Sequence, residues 1–263
     1  MATVAFTYGS TALSTYGKVT LINDYLDMPE RRGENQVIPY RHGTVFAKKY
    51  FNERKMTFGM AVTAATATAL ETKFDTMRAK FAPLTEQVLS VTLESGDIRT
   101  ANAIVDRPIE VDRKTNTLAF VVVEFTLANP IWRLSTAIAD NTTVVDESPE
   151  SMTVTNPGTV EERDPTILLT GSLQNVVITN TSITPNVILT YTGTIAVAHW
   201  VSIATATTGE YTAIDNHGVN VIGNVTHSGS SALMVFAVGD NVLSITTDAG
   251  PGAVKASFYA PYL

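Results

Sequence analysis

The chain has 263 residues, 44% of them hydrophobic and none of them cysteine, so it can hold one large or two ordinary cores but neither disulfides nor thiolate metal sites. Its net charge of −7 is split unevenly: residues 1–135 carry 16 Lys and Arg against 14 Asp and Glu, a balance of +2, while residues 136–263 carry 2 against 11, a balance of −9. An acidic second half repels phosphate backbones, which argues against sequence-independent nucleic-acid binding there.

Residues 1–10 lack a basic start followed by an apolar run, and no stretch approaches the ~18 apolar residues needed to span a bilayer. Neither export by a signal peptide nor membrane insertion is expected. Sequons at Asn141, Asn180 and Asn224 are read as chance products of a Thr-rich sequence.

In chain order, residues 4–8 and 18–22 alternate as two strands. The segment 30–43 follows, too charged for a core and punctuated by Gly33, Pro39 and Gly43. It is a solvated hairpin or loop, or else an arm that packs on a neighbouring subunit. Residues 45–47 and 55–62 read as strands, with a turn at 52–54. One helix is predicted over 68–81, where Leu70, Phe74, Met77 and Phe81 make a single apolar stripe. Thr68 and Glu71 suggest a capping box at its start, and Pro83 stops it.

Strands are expected at 88–93, 99–105 and 117–127, with polar turns at 94–97 and 112–116. Asn129-Pro130 then breaks the chain before Trp132. The first half, 1–135, is thus an α+β domain on an antiparallel sheet. Residues 136–151 are expected as a linker.

From residue 152 the pattern is strand and turn only: 152–155, 166–170, 175–179, 187–191, 200–203, 210–214, 219–222, 233–238, 241–246 and 254–259. Short strands at near-regular spacing make 152–263 a β-sandwich or jelly roll. The fold class is therefore mainly β.

A search for chemistry finds none. His42, His199, His217 and His227 lack the spacing of a helical zinc pair. Glu161, Glu162 and Asp164 precede Pro165 as a charged turn rather than a cation site. Trp132 and Trp200 stand in apolar settings where burial is the default. No nucleophile elbow, phosphate loop or dinucleotide fingerprint occurs, so no enzyme, metal or cofactor is expected.

The order of several short motifs resembles the distal tail proteins of long-tailed, non-contractile phages. In the first half these are Arg31-Arg32-Gly33, the run Val37 to Gly43, the single helix, and Asn129-Pro130-Ile131-Trp132. In the second they are Asn156-Pro157-Gly158, Pro165, the strand reaching Asn180, Asp215, and the run Gly239 to Ile245, which resemble that family's galectin-like sandwich. The resemblance implies a structural virion protein, assembled in the host cytoplasm and placed at the distal end of the tail. It implies a hexameric ring through the first domain, joining tail tube protein to tip or baseplate proteins, with the second domain projecting outward. Arg31, Arg32, Tyr40, Arg41 and His42 become candidate ring-interface residues on that analogy. The alternative is a carbohydrate-binding sandwich for attachment to a host surface.

Overall fold

The computed structural model describes residues 4–23, 27–33, 36–37, 42, 44–45, 49–146, 148–206, 210–229 and 232–263. It is mainly β, and the chain divides into two compact units, Met1–Ser135 with Leu263, and Thr136–Tyr262.

The first unit contains β1 (Ala5–Tyr8), β2 (Thr11–Ala12), β3 (Lys18–Asn23), β4 (Arg31–Arg32), β5 (Gln36–Val37), β6 (Thr44–Val45), β7 (Tyr50–Phe51) and β8 (Arg54–Thr63). After these come α1 (Ala67–Phe81), β9 (Gln87–Thr92), β10 (Ile98–Ala103), β11 (Glu110–Arg113), β12 (Leu118–Leu127) and β13 (Trp132–Leu134). One sheet runs β11-β12-β8-β3, and another contains β2-β1-β9-β10-β13 in that order. The ten-residue strands β8 and β12 pair antiparallel along their whole length, from Leu118 opposite Thr63 to Leu127 opposite Arg54. Their alternation buries Met56, Phe58, Met60 and Val62 beside Ala119, Val121, Val123 and Phe125.

The stripe on α1 is buried as expected, with Leu70, Phe74, Met77 and Phe81 all facing inward. Phe81 meets Tyr8 at 5.8 Å and Phe125 at 6.0 Å between ring centroids, and Phe125 in turn meets Phe58 at 5.3 Å. Helix and both sheets therefore share one aromatic cluster, each pair of which adds ~0.5–1.5 kcal/mol beyond its area burial. The cap differs from the expectation. Thr66, in extended conformation, accepts from the Ala69 amide at 3.2 Å, so the helix starts two residues before the proposed capping box and its third position is alanine. The polar turn expected at 112–116 is shorter too, because Glu110–Arg113 forms the exposed edge strand β11 against β12. Charges on an edge protect it from further pairing, and they disguise the strand in the sequence.

The second unit contains β14 (Ile138–Val145), β15 (Glu150–Asn156), β16 (Thr166–Gly171), β17 (Leu173–Asn180), β18 (Val187–Ile195) and β19 (Trp200–Thr205). It continues with β20 (Tyr211–Asp215), β21 (Val225–Ser228), β22 (Gly239–Thr246) and β23 (Gly252–Phe258). Two five-stranded antiparallel sheets result, β14-β23-β16-β19-β20 and β15-β22-β17-β18-β21. Ile167, Leu169, Val201, Ile203 and Val254 of the first sheet are buried, as are Val154, Val176, Ile178, Leu189, Leu243 and Ile245 of the second. The stretch expected as a linker, 136–151, instead carries β14 and the start of β15, which pair with β23 and β22.

Two further expectations fail. Residues 219–222 form only an isolated bridge at Asn220 and the start of a 3-10 turn at Ile222–Asn224. Residues 233–238 form no strand, although Ala232 to Phe236 are all buried. Their backbone groups are satisfied mainly by side-chain amides. Asn180 Nδ2 donates to the Val235 carbonyl at 2.8 Å, Asn156 Nδ2 to that of Phe236 at 3.2 Å, and Asn241 Nδ2 to that of Ala237 at 2.9 Å. Only Phe236 makes a bridge, exchanging two backbone bonds with Glu162. An apolar run is a strand only if a neighbouring backbone meets it.

Candidate assembly surface

Within 30–51 the described residues form a ribbon of two short antiparallel ladders outside both sheets of the first unit. Arg31 pairs with Phe51 and Arg32 with Tyr50, and Gln36 pairs with Val45 and Val37 with Thr44. Arg31, Arg32 and His42 are exposed. Tyr40 and Arg41 lie outside the described residues. The Arg31 guanidinium carbon stands 5.8 Å from the Phe51 ring centroid, and its Nη2 lies 3.7 Å from Met28 Sδ. Met28 and Tyr50 are themselves more than half exposed. Such a ribbon, charged and edged by open backbone groups, offers both ion pairs and strand pairing to a partner.

The base of the ribbon is a cavity of about 440 Å3 lined by Asp27, Met28, Pro29, Glu30, Asn52, Glu53, Arg54 and Lys55. The Asn52 amide donates to the Glu30 carbonyl at 2.7 Å, which ties the two ribbon legs, and Lys55 pairs with Glu53 at 3.2 Å along one of them. Arg54 is only 3% exposed. Burial pulls its guanidinium below the usual value, while the Asp27 carboxylate pushes it back up.

The sequence gives no sign of a second feature, a groove of about 320 Å3 between α1 and the chain leading into β11. Phe74, Met77, Phe81, Ala82, Val105, Ile109, Val111 and Val121 make its apolar lining, with Arg78 and Arg107 on its solvent side. Arg78 pairs with Asp75 at 3.0 Å and Arg107 with Glu124 at 3.2 Å. In the second unit Trp132's counterpart, Trp200, departs from the expected burial: it is 38% exposed, whereas Trp132 is 2% exposed. Strand alternation turns Val201 and Ile203 inward, which leaves Trp200 on the outer face of its sheet opposite Thr170. His199 and His217 meet edge to face at 5.2 Å, and His217 Nδ1 lies 3.7 Å from Asp215 Oδ2. Among the described residues no group of three or more His, Asp or Glu is placed to hold a metal ion, and no helix is long and apolar enough to cross a membrane.

No family model matches the chain, and no curated protein does. Among solved structures it is similar to the crystal structure of the phage SPP1 Dit (gp 19.1) protein, with a TM-score of 0.75 at 12% identity over 100% of both chains. The chain has the Dit fold. SPP1 Dit is described as a paradigm of the hub adsorption apparatus in phages infecting Gram-positive hosts. Two structures of the phage p2 baseplate in its activated conformation, with Sr and with Ca, also match, at TM-scores of 0.46 and 0.45 and 8% identity. They cover 100% and 97% of this chain and 100% and 98% of theirs. Full coverage at a TM-score of 0.75 means that the Dit fold takes in the α1-bearing unit, the sandwich and their order along the chain, not one of the two alone.

Proposed function

We propose that the chain is a structural protein of a phage tail, a hub at the distal end of a long non-contractile tail. The observation that carries this is the likeness to SPP1 Dit over the whole of both chains at a TM-score of 0.75. In this role the first unit closes into a hexameric ring between the tail tube protein and the tip or baseplate proteins, and the sandwich projects outward. The exposed ribbon bearing Arg31 and Arg32 is the intersubunit arm, with Tyr40, Arg41 and His42 completing its contact. Head-to-tail contacts that close by rotation suit a unit whose charges are dense and nearly balanced. A hub of this kind assigns no catalytic residue and no cofactor.

The test is the mass of the full chain in solution at low and high salt, beside a variant lacking residues 30–43 and single reversals at Arg31, Arg32 or Arg41. Surface ion pairs contribute only ~0–1 kcal/mol each, so single reversals should weaken the ring and deletion of the ribbon should abolish it. A monomer at tens of micromolar for the intact chain would sink the proposal.

A second function has one observation behind it. Trp200 is exposed on the outer face of a sandwich sheet, in a row with Thr170 and Asn216, whose amide donates to the Trp200 carbonyl at 3.1 Å. An exposed indole beside hydroxyl and amide groups is suited to stacking on a sugar ring. Glycan-array binding that Trp200→Ala removes would put carbohydrate attachment beside the hub role; absence of binding would dismiss it.

A further inference from the structure

Leu84 is 86% exposed, more than any other large apolar residue among those described. It lies three residues past the end of α1, and Glu86 two positions on is also exposed. Burial of that side chain against a partner would add the stabilisation its exposed surface forgoes in the single chain. The groove described above reaches the same end of the helix, since Phe81 and Ala82 line it. Its floor is buried and it opens to solvent at Ala82 and Val111, and Arg78 and Arg107 flank it with side chains 65% and 67% exposed.

We propose that the α1 groove receives Leu84 from a second copy of the chain, with Glu86 of that copy between Arg78 and Arg107. The occupant follows from complementarity: the groove is apolar with two cationic groups at its mouth, and the Leu84–Glu86 turn presents one large apolar side chain followed by one carboxylate. Turn and groove share one end of α1, so a single two-fold axis makes both contacts at once, each residue pair repeated reciprocally. Asp75 and Glu124 already engage the two arginines, but exposed pairs exchange partners at little cost. The contact uses no residue of the ribbon, so it stands or falls separately from ring formation.

The absence of cysteine makes the test direct. Leu84→Cys protein is mixed with tagged Ile109→Cys protein, and disulfide-linked heterodimer is followed on non-reducing gels under mild oxidation; neither variant can cross-link within itself. Docking predicts heterodimer forming roughly tenfold faster than between Leu84→Cys and Val197→Cys proteins, because docking raises the effective concentration of the pair. Val197, 76% exposed in the second unit, is the control position. Glu86→Lys in the Leu84→Cys partner should slow the reaction several-fold, and Arg107→Glu in the Ile109→Cys partner should restore it. Equal rates for the two pairings, or slowing by Glu86→Lys that Arg107→Glu leaves unrelieved, would overturn the proposal. Repeating the mixture with residues 30–43 deleted separates the outcomes: the cross-link should persist in protein that no longer forms rings.

Discussion

The side-chain amide of Asn180 donates to the amide oxygen of Asn241 at 3.1 Å, with both residues fully buried. Around this bond the two amides are saturated. Asn180 accepts from the Ser182 amide at 3.0 Å; Asn241 accepts from the Ala237 amide at 2.9 Å and donates to the carbonyls of Val154, Ala237 and Gly239. A third buried amide, Asn156, donates to the carbonyls of Val160 and Phe236 and accepts from Gly158 at 2.9 Å. The three asparagines replace a strand ladder for the buried run Ala232 to Phe236.

Asn241→Ala should therefore destabilise the sandwich by roughly 2–4 kcal/mol, since it strands several buried backbone groups at once. Asn241→Asp should be as costly, because a carboxylate cannot donate to the three carbonyls. Denaturant midpoints of the full chain, followed by a probe in the second unit, decide it. A loss below ~0.5 kcal/mol would show that the run holds itself in place.

Gly158 lies two residues past Asn156 and donates to its side chain. A Cβ there would stand 2.2 Å from the Pro261 carbonyl oxygen and 2.9 Å from Asn156 Oδ1. Because the nearest obstacle is backbone, Gly158→Ala should cost ~1–3 kcal/mol by overpacking. Gly96→Ala tests a different property: its surroundings are open, but its φ of +91° strains any side chain. Comparing the thermal midpoints of the two variants separates close approach from backbone conformation.

Thr66 and Thr68 are a paired test of the helix start. Thr66→Ala removes the bond to the Ala69 amide and should cost ~1 kcal/mol, whereas Thr68→Ala should change stability by only a few tenths. A larger effect at Thr68 would move the cap to where the sequence alone suggested it.

Asp215 supplies a pH dependence. Its carboxyl sits below the ordinary value chiefly because Val219 donates a backbone bond to it, with His217 adding a second, both at 2.9 Å to Oδ1. A depressed folded value means that the stabilisation is complete above the unfolded carboxylate value, ordinarily 3.8, and is lost as pH falls through the folded one. Protection of the His217 and Val219 amides, their exchange rate relative to that of an open chain at the same pH, should fall only in that acidic window. Asp215→Asn should keep the bonds and flatten the profile.

Period-two alternation and turn residues were enough to read most of the sandwich from the sequence, and the Leu70 to Phe81 stripe was enough for the helix. Apart from Trp200, whose exposure follows from strand alternation, the misreadings concern backbone partners rather than side-chain pattern. Residues 233–238 look like a strand because they are apolar, yet their bonds come from asparagines 50 or more positions away or from a short return at Asn241. β14 was hidden because acidic and Thr-rich text on an edge resembles a connection. The charges of Arg31 and Arg32 were legible as surface, and their pairing with Tyr50 and Phe51 was not. The α1 groove could not be read at all, since its walls come from 74–82, 105–111 and 121.

The strand order of the second unit also bears on how it is made. β22 and β23, the last strands of that unit described above, lie inside their sheets rather than at the edges: β23 between β14 and β16, β22 between β15 and β17. Until both emerge from the ribosome, the earlier strands are split into separate halves with open edges facing one another. Vectorial synthesis therefore cannot build this sandwich from one end. Each sheet closes late, when β22 enters the gap between β15 and β17 and β23 that between β14 and β16, and loop closure over roughly eighty to a hundred and twenty residues makes such pairing slow. A chain interrupted before residue 239 would complete neither sheet of the second unit, and the α1-bearing unit would lack Leu263.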